Sequence, residues 1–178
     1  MSMGKASNCW KIAMKLPFNI HAWIAENRAL LQPPVGNKCL FKDDHFIIMI
    51  VGGPNDRSDY HYNETPEFFF QLEGRLELDI QVEGAKQTHV LEKDDVYFLP
   101  AKVPHRPRRF PNSVGLVVEL QRKNAQDGLM WFCEKCNHSL FEKYFPLKNI
   151  ETDFQQVFDQ YFSDAKNGQC PNCDVSNF

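Results

Sequence analysis

The sequence predicts a mainly β protein, a sandwich or barrel of short strands with a helix before it and a small segment carrying a helix and metal knuckles after it. Three observations predict this. Short apolar runs recur between Lys38 and about Gln121, separated by turn formers. Within that stretch Leu76, Leu78, Ile80 and Val82 alternate with Glu77, Asp79 and Gln81, the period of a strand with one wet face. The composition agrees, with 15 Phe, 11 Pro and 9 Gly in 178 residues, because aromatics with frequent turn formers favour strands. That length fits one domain plus a small appendage. Such a chain buries roughly 70% of the surface it exposes when unfolded, so it folds without a dense disulfide framework.

The elements follow in order. Residues 1–17 carry no clear pattern and are read as a leader without targeting value, since Lys5, Lys11 and Lys15 interrupt any secretory apolar core. Asn19 is placed to cap a helix whose stripe is Ile20, Trp23, Ile24, Leu30 and Leu31, and Pro33-Pro34 stop it. Phe46–Val51 is an apolar β-run, and Gly52–Asp56 is a turn cluster. Phe68–Phe70, Leu76–Val82, His89–Leu91, Val96–Leu99 and Val114–Leu120 continue the series, with Gly84 as a break. The character changes near Lys123, so the expected division is a leader 1–17, a barrel 18–122 and an appendage 123–178. In the appendage Thr152 is expected to open a helix, with Gln155 at the capping-box position. Phe154, Val157, Phe158, Tyr161 and Phe162 form its apolar face, and Asn167-Gly168 end it.

Charge and cysteines bound the partners. A net charge of -3 gives no basic surplus for a nucleic-acid backbone. No apolar run approaches the ~20 residues that cross a bilayer, so no membrane partner is expected. The six cysteines include two C-x-x-C pairs, Cys133/Cys136 and Cys170/Cys173, with 33 residues between them. In the reducing, cytoplasmic setting expected here, paired C-x-x-C motifs mean a metal more often than a disulfide. Two such knuckles make a closed tetrahedral S4 site, for which thiolate chemistry allows zinc as well as iron. Cys9 and Cys39 are read as plain thiols.

The sharpest constellation is Gly53-x(7)-His61-x(5)-Glu67-x(6)-Gly74, followed by Pro100-x(4)-His105. Two imidazoles and one carboxylate leave open positions on a metal, a set suited to Fe(II) that binds substrate and O2 together. His21, His45, His89 and His138 are read as ordinary histidines. The pattern resembles the two motifs of the cupin superfamily, small β-barrels of jelly-roll type. It departs from them at Asn63, where a second His is usual, and at Lys93 and Lys102, where Gly is usual. A three-ligand site is therefore expected.

Five separated stretches make the resemblance closer. Leu31–Lys38, Ile50–His61, Pro66–Gln71, Leu99–Arg109 and Val117–Glu119 resemble the 3-hydroxyanthranilate 3,4-dioxygenase family, over about Pro17 to Cys173. The cysteine pairs resemble the rubredoxin-like site of its short bacterial and fungal members. The resemblance implies that His61, Glu67 and His105 hold Fe(II), that the cysteines hold a second, structural iron or zinc, and that the protein is a homodimer. It implies a ring-opening reaction of 3-hydroxyanthranilate with O2. Arg57 would stabilise negative charge developing on oxygen. Arg109 would bind the substrate carboxylate with its guanidinium fork. Glu119, set in an apolar strand, would take the substrate hydroxyl proton. Val35, Asn37, Phe69 and Pro107 match positions that line the ring pocket, and Arg106 and Arg108 are read as surface arginines. The alternatives are a non-catalytic metal-binding cupin, a cupin dioxygenase for another small substrate, and a redox protein built around the cysteines.

Overall fold

The computed structural model of the protein describes residues 16–33, 36–122, 125–147 and 150–178, with the side chains of 150–152 excepted. Helix α1 is Ile20–Asn27, capped by Asn19, whose Oδ1 accepts from the Ala22 N–H at 3.0 Å. The helix then tightens to a 3-10 turn, Arg28–Leu31. That change of pitch removes Leu30 from the expected stripe: Ile24 and Leu31 are buried, but Leu30 is 49% exposed.

Among the described residues eleven strands follow: β1 Asn37–Lys42, β2 Phe46–Gly52, β3 Tyr60–Asn63, β4 Glu67–Glu73, β5 Leu76–Val82, β6 Ala85–Leu91, β7 Val96–Leu99, β8 His105–Arg109, β9 Val114–Leu120, β10 Asp127–Phe132 and β11 Ser139–Phe145. They form two antiparallel sheets, ordered β1-β2-β9-β4-β7 and β11-β10-β3-β8-β5-β6. The mainly β, jelly-roll class expected from the sequence is the one observed. Met49, Phe69, Leu99 and Val117 of one sheet pack against Leu76, Leu78, Ile80 and Leu91 of the other, so the core lies inside the barrel. Part of the outer face of the first sheet is covered by α1 and the 3-10 turn, through Ile24 and Leu31 against Leu40, Ile50, Leu72 and Val114.

Two findings differ from the sequence reading. The alternating strand β5 has no wet face. Asp79 is fully buried, between Arg106 and Arg108 of β8. Gln81 exchanges hydrogen bonds of 2.8 Å with Asn137. Arg106, read as a surface residue, is buried for the same reason and also pairs with Glu134 at 2.6 Å. The second finding is β10 and β11, which were not anticipated. They belong to the segment read as an appendage, yet β10 pairs with β3 and extends the second sheet.

Helix α2, Ile150–Phe162, starts two residues before Thr152 and ends before Asn167-Gly168, which follow in a separate 3-10 turn. Gln155 donates to Asp159 at 2.8 Å. Val157 and Tyr161 are buried on Leu129 and Trp131, and Tyr161 stacks on Trp131 with centroids 4.1 Å apart. Among the described residues no helix is long and apolar enough to cross a membrane.

Candidate active site

Strand parity assembles the site. Side chains alternate across a strand, so every second residue enters the barrel. On β8 these are His105, Pro107 and Arg109, paired with Ile80, Leu78 and Leu76 of the core, while Arg106 and Arg108 turn outward to Asp79 and Glu77. On β4 they are Glu67, Phe69 and Gln71, in register with Glu119, Val117 and Gly115 of β9. His61 of β3 pairs directly with His105. The ligand atoms of His61, Glu67 and His105 all lie within 4.8 Å of one another, and all three residues are buried.

Each imidazole presents a defined nitrogen. His105 Nδ1 lies 3.1 Å from the Val103 carbonyl, which can only accept, so its Nε2 faces Glu67 Oε1 at 3.3 Å. Burial and the Asp127 contact act oppositely on His61, and burial prevails, keeping the ring neutral and available as a ligand. For Glu67 burial alone would raise the carboxyl, but the two histidines and Arg122 hold it down at about 2, ionised at any working pH. The donor set, its spacing and its charge fit one divalent cation with open positions.

Asn63 and Lys102 explain the departures from the cupin motifs. The Asn63 amide donates to Glu67 Oε1, so it buttresses a ligand where a fourth ligand would stand. Lys102 has φ +66°, the left-handed conformation for which Gly is the usual choice.

The remaining predicted residues fall around this centre. Arg57 pairs with Asp59, with Nε at 3.1 Å from Oδ1, and its charge also reaches Glu67, Glu119, His105 and Arg109. Arg109 is buried and is held by Gln71 Oε1 at 3.4 Å; its Nε has no hydrogen-bond partner. Burial, then the neighbouring Arg57 charge, pull Arg109 down to about 10. Glu119 is pushed up to about 7 by burial and by Glu67, against the pull of Arg122 at 3.1 Å. Phe69 stands edge-on to the His105 ring at 6.1 Å. Asn37 shares a face with Val51 at the start of β1. Val35 lies outside the described residues.

Sequence reasoning missed Asp59, Gln71, Arg122 and Asp127. Arg122 and Asp127 sit in a polar stretch that reads as a linker, and the apolar run Leu129–Phe132 behind it was the available signal for β10. The helix α2 closes this side of the barrel: the Phe154 ring lies 5.3 Å from the His61 ring.

The four cysteines form the second cluster. Sγ atoms of Cys133 and Cys173, and of Cys136 and Cys170, are 3.5 Å apart. A tetrahedron with metal–sulfur bonds of about 2.3 Å has edges of about 3.8 Å, so the cluster fits a four-thiolate metal. Two matching knuckles build it, with left-handed Asn137 and Asp174 donating to the Cys133 and Cys170 carbonyls at 2.9 and 3.0 Å. The Asn172 amide pulls the Cys136 thiol down to about 6. Cys39, read as a plain thiol, is disulfide-bonded; Cys9 lies outside the described residues.

A family model described as 3-hydroxyanthranilic acid dioxygenase matches residues 12–162. A protein of Xanthomonas euvesicatoria pv. vesicatoria named 3-hydroxyanthranilate 3,4-dioxygenase is 55% identical over 158 residues, covering 88% of this chain and 89% of its own. One of the same name from the yeast Lodderomyces elongisporus is 42% identical over 158 residues, covering 88% and 90%. The match spans all the barrel residues described above and its metal-binding geometry is intact, so the chain belongs to the 3-hydroxyanthranilic acid dioxygenase family of metal-dependent enzymes.

Proposed function

We propose that the protein opens the ring of 3-hydroxyanthranilate with O2, between C3 and C4, to give 2-amino-3-carboxymuconate semialdehyde. That product closes spontaneously to quinolinate, which places the reaction on the route from tryptophan to NAD. His61, Glu67 and His105 would hold Fe(II), which when bound supplies one centre where aminophenol and O2 meet and exchange electrons. The cysteine cluster would hold a second, structural iron or zinc.

The observation that carries the substrate assignment is Arg109. Among the described residues it is a buried guanidinium with no carboxylate partner and an orphaned Nε, on the same inward face of β8 as His105. Buried charge of this kind calls for an anion, and the substrate carboxylate supplies one. Gln71 and Gly115 aim the fork; a Cβ on Gly115 would meet Arg109 Nη1 at 2.6 Å. Phe69 and Pro107 wall the ring, with Asn37 at the mouth. Glu119, pushed up to about 7, accepts the substrate hydroxyl proton near neutral pH. Arg57, fixed by Asp59, stabilises negative charge developing on oxygen.

The four closely spaced thiols of the cluster stay unbridged and suit a cytoplasmic location, and the bridge at Cys39 lies outside that cluster. A homodimer accounts for the exposed Phe46, Phe68, Val96 and Phe98 on the outer face of the first sheet. The deciding test is anaerobic loading with Fe(II), then mixing with 3-hydroxyanthranilate and O2. A yellow product with matching O2 uptake is expected, and 2-aminophenol, which lacks the carboxylate, should be a poor substrate. No product from iron-loaded protein would overturn the reading.

A further inference from the structure

Beyond the three ligands, the structure shows a buried chain of charge that joins His61 to Glu119. His61 Nε2 lies 2.8 Å from Asp127 Oδ1. Asp127 in turn is gripped by Arg122, with Nη2 at 2.8 Å from Oδ1 and Nε at 3.3 Å from Oδ2. The same guanidinium donates from Nη1 to Glu119 Oε2 at 3.1 Å and to Thr65 Oγ1 at 3.3 Å. The Arg122 side chain is 7% exposed and that of Asp127 is 1% exposed, so water does not dilute the chain. Arg122 and Asp127 both lie outside the two metal motifs. Arg122 follows β9, and Asp127 opens β10, placed opposite Asn63 by the β3–β10 ladder.

We propose that Asp127 and Arg122 are positioning residues for the metal site, Asp127 orienting His61 and Arg122 fixing Asp127 while holding Glu119 in the same grip. The argument is one of donors and acceptors. A carboxylate whose two oxygens both take N–H groups from a guanidinium serves as an acceptor, so Asp127 obliges His61 to carry its proton on Nε2 and to turn the Nδ1 lone pair inward. Nδ1 is the atom that faces Glu67, 3.9 Å from Oε1. A carboxylate behind a ligating imidazole also raises its basicity. Asp127 stays fixed because Arg122 contacts both of its oxygens, a fork on a carboxylate. Because Arg122 also holds Glu119, the side chain that orients a metal ligand and the side chain proposed to take the substrate proton are anchored to one guanidinium. The inference rests on the proposed metal site, and its test separates the two.

The experiment uses the full chain with the cysteine site filled by Zn(II), titrated anaerobically with Co(II) and then Fe(II), with metal counted per chain and folding followed by circular dichroism. Wild type should take one further ion, and Glu67→Ala should abolish it; failure of both would overturn the metal site and the inference with it. Given that site, Asp127→Asn should keep the fold and the zinc but bind the added metal about 10–100-fold more weakly. Arg122→Gln should show a smaller loss in the same direction, and Arg122→Lys should recover part of it. Wild-type metal affinity in Asp127→Asn would overturn the proposal. If that variant does not fold, Arg122→Gln decides: unchanged affinity there overturns it equally. A role confined to holding the fold together would lower the melting temperature and leave the affinity of the folded protein unmoved.

Discussion

Arg109 occupies the barrel interior with a single amide for company, an arrangement that is costly until an anion arrives. The Arg109→Ala variant should therefore raise KM for 3-hydroxyanthranilate by about 10–100-fold, the worth of hydrogen bonds to a charged group, with a smaller effect on kcat. Steady-state kinetics decide this, and an unchanged KM would remove the carboxylate assignment. Gly115→Ala tests the same idea without touching the charge. Its new methyl would displace the guanidinium and should raise KM in the same direction while the chain still folds. Arg57 differs in kind, because Asp59 already neutralises it in part and its field reaches both Glu67 and Glu119. Arg57→Ala should retain metal and substrate but lose about 10²–10³ in kcat, as measured for other charge-stabilising donors. These candidate residues came from the family resemblance, in which each sits at a short offset from a proposed ligand. Arg57 precedes His61 by four positions and Arg109 follows His105 by four. Gln71 and Asp127 were not legible as partners, since Arg109 and His61 lie 38 and 66 positions away along the chain, and Arg122 was missed because it falls in a stretch of ordinary polar composition.

At the scale of elements, parity does most of the placing. The inward residues of β3, β4, β8 and β9 carry the candidate chemistry, and the outward residues of β5 and β8 carry an ion-pair cluster centred on Asp79. Removing one partner from a buried pair leaves uncompensated charge, so Asp79→Ala should cost about 3–5 kcal/mol of stability in urea unfolding. Burial would raise the Asp79 carboxyl, but Arg108, Thr88 and Arg106 hold it below the ordinary carboxylate value of about 3.9. The folded value is thus the lower one. The stabilisation is complete above the unfolded value and is lost as pH falls through the folded one. Unfolding curves of wild type and Asp79→Asn should therefore converge between about pH 4 and lower values, and a gap that widened on acidification would contradict the assignment. The period-2 pattern of β5 was read correctly as a strand. Its second face was misread as wet because Arg106, Glu134 and Asn137, which cover it, arrive from distant parts of the chain.

Across the whole molecule, the first cysteine knuckle and the helix between the two cysteine pairs tie the barrel to the second cluster. Glu134, between Cys133 and Cys136, pairs with Arg106 beside His105, and α2 lays Phe154 against His61. Cys133→Ser, or removal of the thiolate-bound metal by a chelator, should lower the melting temperature and weaken metal binding at the barrel site as well; calorimetry with metal counting reports both. On the far side of the barrel, Phe98 is 62% exposed and Val96 60% exposed on the edge strand β7. If two copies meet there, Phe98→Asp should halve the mass seen by sedimentation at micromolar concentration and leave the iron content unchanged.

By itself the sequence determined the strand-rich class, the strand at Leu76–Val82, and the two residue sets, His61 with Glu67 and His105 and the four thiols, that the structure brings within reach of a metal. These follow from local period and from chemistry carried by residue type, which the chain states directly. The tertiary structure alone decided which polar residues are buried, that β10 completes the second sheet beside β3, and that Asp127 and Arg122 stand behind His61. Burial and partnership of that kind depend on pairing between strands far apart in the chain, for which a single sequence holds no local signal.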